Sequence, residues 1–494
     1  MKIAFVQQEL YPYMSYMYLG GIARKMKHSV EVFVINDESS FDELVNYRPE
    51  IVCFTTTTPY YSFTKEMAKR IRVELAGSFI LVGGWHPTFN PDILENETCF
   101  DAICLGEGEI PFKNFLESYP DLDKVKNIPN LHVRVDGKIY RNPMGNLMPE
   151  LDEIPFPDRS IYYDKYEILR NQLTKTFLVG RGCPFPCAYC FNDGMRKTYS
   201  KKGKYVRFRS PRNIVEEIKL VNSEYPISYV QFVDDTFNSN RKWLLEFLNY
   251  YKISLKLPFL INCRIERLDE EIVEIMKEAG VDRICFSIEH GNEQFRCGVL
   301  KRNMTNADIM EGSRLLKKYD IRFITSSMVG LPGETLEMAF ETLKINQKIK
   351  PFSACMYVFQ PYPGTELYRI AKEQGYIDTD IKAEDITGHY VWGTGNMKSR
   401  SVMKVKDINQ MLNLQSFFSF LVKHPNFTSL VRPLLTLPHS KYFQFFQVWY
   451  NFKMKFKYSA GLRERTNYIL QLTAYFLPAF FQQLLEKLFR FQRM

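Results

Sequence analysis

RGCPFPCAYCFN, residues 181–192, places Cys183, Cys187 and Cys190 on one short segment in the spacing C-x3-C-x2-C. The glycine and prolines around the cysteines predict a loop, and small residues let a loop wrap a metal centre without side-chain clashes. A four-iron cluster normally takes four thiolate ligands, so three cysteines leave one iron open to another molecule. The spacing therefore predicts an iron–sulfur centre with an open position.

A zinc site or a chance spacing is the alternative explanation of three close cysteines. A structural zinc site takes four protein ligands. No histidine lies between His132 and His290, so the sequence offers no nearby histidine as the fourth ligand. The place of the cysteines directly after an expected β-strand also favours the iron–sulfur centre.

Residues 171–373 alternate short apolar runs with helical stretches, and the cysteine loop follows the first run. The six expected strands lie in TKTFLVG (174–180), YVQFV (229–233), PFLINC (258–263), RICFSI (283–288), RFITSSM (322–328) and SACMYVF (353–359). In SPRNIVEE we expect Ser210 to cap a helix and Pro211 to take its first position. Six such units predict a partial (β/α)6 barrel with its chemistry at the carboxyl ends of the strands.

Residues 1–125 show the same alternation, with strands expected in KIAFVQ, VEVFVI, IVCFTTTT, FILVGG and DAICLG. This pattern predicts an α/β domain with a doubly wound parallel sheet, in which ligands bind at the carboxyl ends of the strands. The segments GGWHP (83–87) and GEGE (106–109) lie at such ends. Gly83 and Gly84 indicate either a turn with unusual dihedral angles or a close approach of the backbone to a ligand.

The pattern of the remaining residues predicts a linker between the two α/β regions and a helical C-terminal domain. Residues 126–170 are irregular and are expected to form a linker with a small hairpin that turns at Asp136-Gly137. Residues 374–494 lack strand alternation and predict a mostly helical domain. Within it, residues 401–494 hold 13 Lys+Arg and 3 Asp+Glu, together with many aromatic residues.

The last stretch of the chain has an amphipathic pattern. The apolar positions are Phe481, Leu484, Leu485 and Leu488, and the polar positions are Gln482, Gln483, Lys487 and Arg490. Pro478 and several glutamines argue against a membrane-spanning helix. The aromatic and basic residues fit either helices that lie on a membrane surface or a helical lid whose aromatic side chains form a core.

Composition limits the compartment and the class of partner. Ten cysteines at uneven spacing in 494 residues do not indicate a secreted disulfide framework, so a reduced cytosol fits better. The apolar run in MKIAFVQQEL is too short for a secretory signal. Basic charge that is concentrated with aromatic residues favours a membrane surface over nucleic acid as a partner. We therefore expect a cytoplasmic protein that binds no nucleic acid, and its C-terminal helices form either a peripheral membrane contact or the helical lid.

The cysteine loop and the motifs that follow it resemble the radical S-adenosylmethionine enzymes, whose signature is C-x3-C-x2-C after the first barrel strand. The resemblance implies a [4Fe-4S] cluster on Cys183, Cys187 and Cys190, with S-adenosylmethionine on the open iron. It also implies an external one-electron reductant, such as a flavodoxin or a ferredoxin. In that family the electron cleaves S-adenosylmethionine to a 5'-deoxyadenosyl radical.

The family's later motifs have counterparts in the same order along this chain, which are FVDDTF, NCRIERL, SIEHGNE, MVGLPGET and YPGTEL. By this resemblance the contacts to S-adenosylmethionine come from Tyr189, Phe191, Asn192, Asp234, Asp235, Arg264, Glu289, Gly330 and Pro332. Tyr189 would touch the adenine, and Glu289 the ribose. The two aspartates would hold the amino group or the ribose, and Arg264 is suited to a carboxylate.

Three segments resemble the cobalamin-binding subfamily of these enzymes: LVGGWHPTF and DAICLGEGEIPF before the barrel, and LDEIPFPDR in the linker. The resemblance implies cobalamin between the first domain and the barrel, with contacts from Thr57, Gly83, Gly84, Trp85, His86, Gly106, Glu107 and Gly108. Many cobalamin-binding folds carry D-x-H-x-x-G, but QELYPYMSYMYLGG has no histidine. His86 is the nearest alternative ligand, although a lone histidine beside Pro87 in a turn is more often structural.

The resemblance implies a cobalamin-dependent radical methyltransferase that acts on an unactivated carbon of a small molecule. One S-adenosylmethionine would supply the radical, and another would supply the methyl group through cobalt. The aromatic and basic C-terminal region indicates an apolar or lipid-like substrate. A non-methylating oxidative cyclase or rearrangement enzyme is the first alternative, and a non-catalytic iron–sulfur protein is the second. The sequence identifies no catalytic residue beyond the cofactor contacts.

Overall fold

The computed structural model describes residues 1–378, 381–382, 385–386 and 401–458. Two β-sheets, one from each α/β region of the sequence, form the centre of this fold. Helices cover both sheets, and a helical segment follows the second sheet. The α/β class and the order of the three expected regions are confirmed, while the exact domain limits stay predictions.

The first sheet has a doubly wound order that begins with five parallel strands. Its strands are β1 (Lys2–Gln7), β2 (Ser29–Val34), β3 (Ile51–Thr55), β4 (Phe79–Gly83), β5 (Ala102–Cys104), β6 (Leu131–Val135) and β7 (Lys138–Arg141). They are arranged β2-β1-β3-β4-β5-β6-β7. The helices of this region are α1 (Met14–Lys25), α2 (Glu38–Tyr47), α3 (Tyr61–Glu74), α4 (Trp85–Phe89), α5 (Ile93–Asn96), α6 (Glu109–Ser118) and α7 (Leu122–Val125).

The hairpin β6–β7 corrects one expectation. It turns at Asp136-Gly137 as predicted, but β6 pairs antiparallel with β5, so the hairpin belongs to the first sheet and not to a free linker. The strand β5 has only three residues, and β6 satisfies the backbone groups on its open edge. After β7 the chain continues through two short helices, α8 (Ser160–Tyr163) and α9 (Glu167–Arg170).

The second sheet contains the six expected barrel strands, all parallel and in consecutive order. They are β8 (Thr174–Phe177), β11 (Tyr229–Phe232), β12 (Phe259–Asn262), β13 (Val281–Glu289), β14 (Arg322–Val329) and β15 (Ser353–Val358). Between the first two of them, β9 (Gly180–Arg181) and β10 (Arg207–Phe208) form a small antiparallel pair beside the cysteine loop. The predicted partial barrel is therefore confirmed.

Helices connect these strands and follow the last one. They are α10 (Phe191–Thr198), α11 (Pro211–Glu224), α12 (Arg241–Ser254), α13 (Glu270–Ala279), α14 (Glu293–Gly298), α15 (Asn306–Lys318), α16 (Leu336–Ile349), α17 (Glu366–Glu373), α18 (Ile408–Lys423), α19 (Thr428–Val431) and α20 (Lys441–Tyr458). Ser210 caps α11 as expected, because its side chain accepts a hydrogen bond from the backbone N–H of Asn213.

The C-terminal helices pack on the barrel. Helix α18 contacts β15 and α16, and α20 packs on α18. Within the described residues, no helix has the length and apolar character needed to cross a membrane. The amphipathic pattern predicted around Phe481 to Arg490, and Pro478 with it, lie outside the described residues.

One hydrophobic core extends through the first domain, the linker and the barrel. It joins Phe5 of β1 and Phe112 of α6 to Phe177 of β8 through linker residues such as Ile161 and Tyr162. A separate cluster fills the other face of the first sheet, and another lies between the last barrel strands and α18. The two α/β regions are therefore packed as one body.

A buried ionic group holds the linker against the barrel. Glu217 of α11 has almost no exposed surface and accepts hydrogen bonds from Arg159 of the linker at 2.8 Å and from Arg209 at 2.5 Å. Arg159 also donates to the carbonyl of Thr176 in β8 at 2.7 Å. Two guanidinium groups thus share one carboxylate away from water, where removal of either sign of charge is costly.

We predict that Glu217→Gln lowers the free energy of unfolding by about 3–5 kcal/mol, because two buried guanidinium groups lose their counter-charge. Urea denaturation followed by circular dichroism measures the change. Glu216→Gln on the same helix is the control, since Glu216 pairs with Arg212 in solvent and should have little effect. Equal stability of the two variants would contradict the prediction.

Candidate functional site

The cysteine loop lies between β9 and α10, at the carboxyl end of the first barrel strand. Cys183 and Cys187 are buried, and Cys190 is partly buried just before the first residue of α10. None of the three forms a disulfide bond. Burial raises the pKa of Cys183, and it raises the pKa of Cys190 to about 12. Both thiols therefore stay protonated at neutral pH unless a metal displaces the proton.

Each of the three sulfur atoms has a polar side-chain partner. Cys183 Sγ lies 3.4 Å from Thr236 Oγ1, Arg264 Nη1 donates to Cys187 Sγ at 3.6 Å, and Asn192 Nδ2 donates to Cys190 Sγ at 3.6 Å. Hydrogen bonds to ligand sulfurs are one of the means by which proteins set the reduction potential of iron–sulfur clusters. Three disulfide-free thiols with these partners fit a cluster.

The arrangement differs from a single-ion site. Among the described residues, no three His, Cys, Asp or Glu side chains are close enough together to hold one metal ion. A cubane cluster is larger than one ion, and its cysteines bind different irons, so its ligands are further apart.

A hydrogen-bonded group of three side chains lies beside the loop. Tyr189 Oη donates to Glu289 Oε1 at 2.8 Å, and Arg302 Nη1 donates to Tyr189 Oη at 3.3 Å. Glu289 ends β13 with a φ of 64°, a left-handed conformation that is uncommon for a residue other than glycine. Arg302 is buried and also donates to the carbonyl of Ser287 at 2.6 Å. Sequence patterns did not identify Arg302, because a single basic residue in a loop has no local pattern that separates a buried side chain from a solvated one.

The two aspartates after β11 have different environments. Both carboxylate oxygens of Asp234 accept hydrogen bonds from the backbone N–H of Val179, and one also accepts from Gly180, at 2.8–3.1 Å. Burial raises the pKa of Asp234 to about 7. Asp235 is exposed and accepts a hydrogen bond from Asn192 Nδ2 at 2.9 Å. The Asp234 carboxylate thus binds the backbone that leads into the cysteine loop, and its expected contact with S-adenosylmethionine stays a prediction.

Arg264 faces the cysteine loop, but it already has a carboxylate partner. Its Nε donates to Glu266 Oε1 at 2.5 Å, and its guanidinium group lies 4.2 Å from the centre of the Phe185 ring. The guanidinium group is thus fixed between the loop and Glu266. A ligand carboxylate would have to share it with Glu266.

The glycine motif after β14 is held by a buried glutamate. Gly330 has a φ of 81° and lies before the buried Pro332. The backbone N–H groups of Gly330 and Leu331 donate to Glu334 Oε2 at 2.7 and 2.9 Å. Glu334 Oε1 lies 3.3 Å from His290 Nε2, and both side chains are fully buried. This pair joins the fourth and fifth barrel motifs, and sequence patterns did not identify it.

In the first domain, the turn after β4 requires one of its two glycines. Gly84 has a φ of 102°, and a Cβ atom there would lie 2.6 Å from the carbonyl oxygen of Thr56. Gly83 has no such restriction. Thr57 is half-buried and precedes the short 3-10 turn Thr58–Tyr60. The turn therefore places the ends of β3 and β4 against each other.

His86 is a structural residue here. Its Nδ1 lies 3.1 Å from Thr58 Oγ1, and its ring stacks on Tyr61 at 4.2 Å. Burial lowers the pKa of His86 to about 4, so the imidazole is neutral at physiological pH. These contacts favour the structural role over that of a ligand.

The GEGE segment contacts the barrel directly. Glu107 forms an ion pair with Arg207 of β10, and its expected contact with cobalamin stays a prediction. The backbone N–H of Glu107 donates to Tyr199 Oη at 2.8 Å, and a Cβ atom on Gly106 would overlap that hydroxyl group. Gly108 precedes α6 without close neighbours of this kind.

A second ion pair joins GEGE to the strand before the cysteine loop. Arg181 Nη2 donates to Glu109 Oε1 at 2.5 Å. Burial alone would raise the pKa of Glu109, but the charge and the hydrogen bond of Arg181 outweigh it and lower the pKa. The pair is therefore charged at neutral pH.

Aromatic rings complete the contact between the two regions. Phe191, next to Cys190, stacks on Trp85 at 5.3 Å with nearly parallel planes. It also lies 5.4 Å from Phe89 and 5.4 Å from Tyr362 of the sixth barrel unit. The strand ends of the first domain and the cysteine loop therefore meet at one place.

Two protein-family models match the chain. The B12 binding domain matches residues 9–116, and the radical SAM superfamily matches residues 177–345. These ranges fall within the expected domains 1–125 and 171–373. The first match spans β2 to β5 of the first sheet, and the second spans the cysteine loop and the barrel strands β11 to β14.

Two relatives with known names share most of this length. An uncharacterized methyltransferase of Pyrococcus horikoshii is 28% identical over 371 residues, which cover 73% of this chain and 78% of the relative. The anaerobic magnesium-protoporphyrin IX monomethyl ester cyclase of Cereibacter sphaeroides is 26% identical over 378 residues, which cover 72% of this chain and 60% of the cyclase.

Two solved structures share the fold. The radical S-adenosylmethionine methyltransferase TsrM from Kitasatospora setae, with cobalamin and a [4Fe-4S] cluster bound, has a TM-score of 0.63 and 17% identity over 76% of this chain and 78% of TsrM. The cobalamin-dependent radical enzyme OxsB has a TM-score of 0.63 and 14% identity over 96% of this chain and 71% of OxsB. These structures share the fold, and the two family matches show that the chain combines an N-terminal B12 binding domain with a radical SAM domain, so it is a radical S-adenosylmethionine enzyme whose cofactors are a [4Fe-4S] cluster, S-adenosylmethionine and cobalamin.

Proposed function

We propose that this enzyme transfers a methyl group to an unactivated carbon of an apolar or lipid-like small molecule. The observation that carries the proposal is the stacking of Phe191 on Trp85 and Phe89. It joins the cysteine loop to the strand ends of the cobalamin-binding domain, so the two cofactor sites would be adjacent. A methyl donor and a radical must both reach one substrate carbon, which needs this proximity.

Different side chains would bind the cluster, S-adenosylmethionine and cobalamin. Cys183, Cys187 and Cys190 would hold the cluster. We propose that S-adenosylmethionine lies against Tyr189, Phe191, Asn192, Asp235, Arg264, Glu289, Gly330 and Pro332. We propose that Thr57, Gly83, Gly84, Trp85, Gly106 and Gly108 line the cobalamin site. When bound, the cofactors supply the radical and the methyl group.

The protein's own contribution is to fix positions and to exclude water. The Tyr189–Glu289–Arg302 group holds a carboxylate in one orientation beside the loop. The buried Cys183 and Cys187 and the stacked rings limit access of solvent to the cluster. An external one-electron reductant, of flavodoxin or ferredoxin type, would supply the electron.

The relatives support methyl transfer, and one of them also supports the alternative of an oxidative cyclase. The Pyrococcus horikoshii relative is named a methyltransferase, as is the cytidylyl-2-hydroxyethylphosphonate methyltransferase of Streptomyces wedmorensis, which is 26% identical over 337 residues. The cyclase from Cereibacter sphaeroides favours an oxidative cyclase as the second candidate. An apolar substrate fits the ring-lined contact of Trp85, Phe191 and Tyr362 and the aromatic C-terminal region.

We predict that the anaerobically reconstituted and reduced enzyme forms both 5'-deoxyadenosine and S-adenosylhomocysteine, and that Cys183→Ala, Cys187→Ala or Cys190→Ala abolishes the deoxyadenosine. Each of these variants lacks one of only three cluster ligands. Chromatography of the products and iron and sulfide analysis measure the outcome. Cys99→Ala in the first domain is the control and should keep the cluster. Deoxyadenosine without S-adenosylhomocysteine would contradict methyl transfer and favour the cyclase.

Gly84→Ala should reduce the cobalt retained per chain while the iron content stays unchanged. A methyl group at this position would meet the Thr56 carbonyl, and its φ of 102° disfavours any residue with a Cβ atom. Metal analysis after anaerobic purification with cobalamin measures both metals. Gly77→Ala, where a Cβ atom has open space, is the matched control. Normal cobalt in Gly84→Ala would argue against this turn as part of the cobalamin site.

Tyr189→Phe should raise the KM for S-adenosylmethionine by roughly 10-fold, because Glu289 loses a hydrogen bond that orients its carboxylate, while the aromatic ring remains. The KM follows from the rate of deoxyadenosine formation at several concentrations of S-adenosylmethionine. Tyr319→Phe is the matched control, since Tyr319 Oη donates to Glu270 at 3.1 Å on the surface. An unchanged KM in Tyr189→Phe would remove this group from the proposed site.

A further inference from the structure

Helix α20 presents aromatic side chains to solvent. Tyr442, Phe445 and Trp449 are 74%, 48% and 42% exposed, and their spacing places them on one side of the helix. Gln447 and Val448, on the other side, are buried. A helix on an ordinary protein surface places its glutamine outward and its rings inward. In α20, by contrast, Gln447 is buried and the rings of Tyr442, Phe445 and Trp449 face solvent.

The segment before α20 has a similar apolar stripe. Leu430, Leu434 and Leu437 are 66%, 39% and 47% exposed. Val431 and Leu435, between them in sequence, are buried and hold the segment against the protein. The exposed leucines thus lie on a well-packed element, so their exposure does not come from a missing core.

Aromatic contacts connect the two elements. Phe427 lies 5.4 Å from Phe420 of α18, Phe420 lies 5.4 Å from Phe446, and Phe446 lies 6.1 Å from Trp449. Of the fifteen large hydrophobic side chains that are exposed in the described part of the chain, seven lie between residues 427 and 449. We call this surface the C-terminal apolar patch: Leu430, Leu434, Leu437, Tyr442, Phe445 and Trp449.

The chain segment that carries the patch has only positive charges, of which Arg432 is paired with Glu337 of α16. Residues 425–458 contain no Asp or Glu, and their cations are Arg432, Lys441, Lys453, Lys455 and Lys457. Lys453 Nζ lies 5.5 Å from the centre of the Trp449 ring, so positive charge directly adjoins the exposed rings. A concentration of exposed large apolar side chains within one segment is typical of an interaction surface. Rings and leucines next to cations match the interface of an anionic bilayer, where acyl chains lie beneath lipid phosphates.

We propose that the C-terminal apolar patch binds the surface of anionic phospholipid bilayers. The leucines and rings enter the interfacial layer, and the lysines lie near the lipid phosphates. This interaction is separate from the reaction and does not depend on the proposed methyl transfer. It would bring the enzyme to the place where apolar molecules collect.

The test is sedimentation of the full-length protein with vesicles of phosphatidylcholine, either alone or mixed with phosphatidylglycerol. We expect binding to the mixed vesicles, weaker binding at high salt and still weaker binding to phosphatidylcholine alone. A Leu430→Ser, Leu434→Ser and Trp449→Ser triple variant should bind the mixed vesicles at least ~10-fold less tightly. Lys441→Glu with Lys453→Glu should remove the preference for the anionic lipid.

Val73→Ser with Ile253→Ser is the matched control, because these side chains are 79% and 77% exposed on α3 and α12. It should bind like the wild type. The substituted leucines, Trp449, Lys453, Val73 and Ile253 have exposed side chains, and circular dichroism melting checks that the variants fold. Equal vesicle binding of the triple variant and the wild type would overturn the proposal. So would the absence of vesicle binding, including the case in which light scattering shows that the patch instead joins two copies of the chain.

Discussion

The hydrogen bonds that Asp234 accepts from the backbone of Val179 and Gly180 fix the start of the cysteine loop. A parallel sheet fixes its strands but leaves the loops at their carboxyl ends free to vary. The Asp234 carboxylate extends the alignment of the first two barrel strands by two residues beyond the sheet. The three cysteines follow immediately, so their positions depend on this buried group. An amide in its place would keep only part of the acceptor capacity.

The loop is also held from the side of the first domain. Arg181 and Arg207, which flank it in the small β9–β10 pair, form ion pairs with Glu109 and Glu107. Phe191 then packs between the rings of Trp85 and Phe89. Metal-ligating side chains gain their precision from such surrounding contacts. Here the surrounding contacts come from both α/β regions.

The sequence predicted the features whose signals are local. Runs of five to seven residues in the sequence marked all six barrel strands, and the spacing of the cysteines marked the cluster loop, because each pattern is confined to a few neighbouring positions. It did not predict that Asp234 binds backbone amides, since both aspartates of FVDDTF have the same local context. The pair of Glu107 and Arg207 spans a hundred residues, and only the fold brings these charges together. Arg302 and the His290–Glu334 pair were missed for the same reason.

The continuous core from Phe5 to Phe177 has a consequence for how the chain can be divided. A domain with its own core tolerates removal from its neighbour, whereas a fragment cut in the linker would expose the apolar side chains that now pack across the boundary. The linker contributes Ile161 and Tyr162 to that core and Arg159 to the buried ionic group. It is therefore a packed part of both regions and not a flexible connection between them. The two α/β regions thus have separate sequence patterns, but each needs the other to bury its apolar side chains.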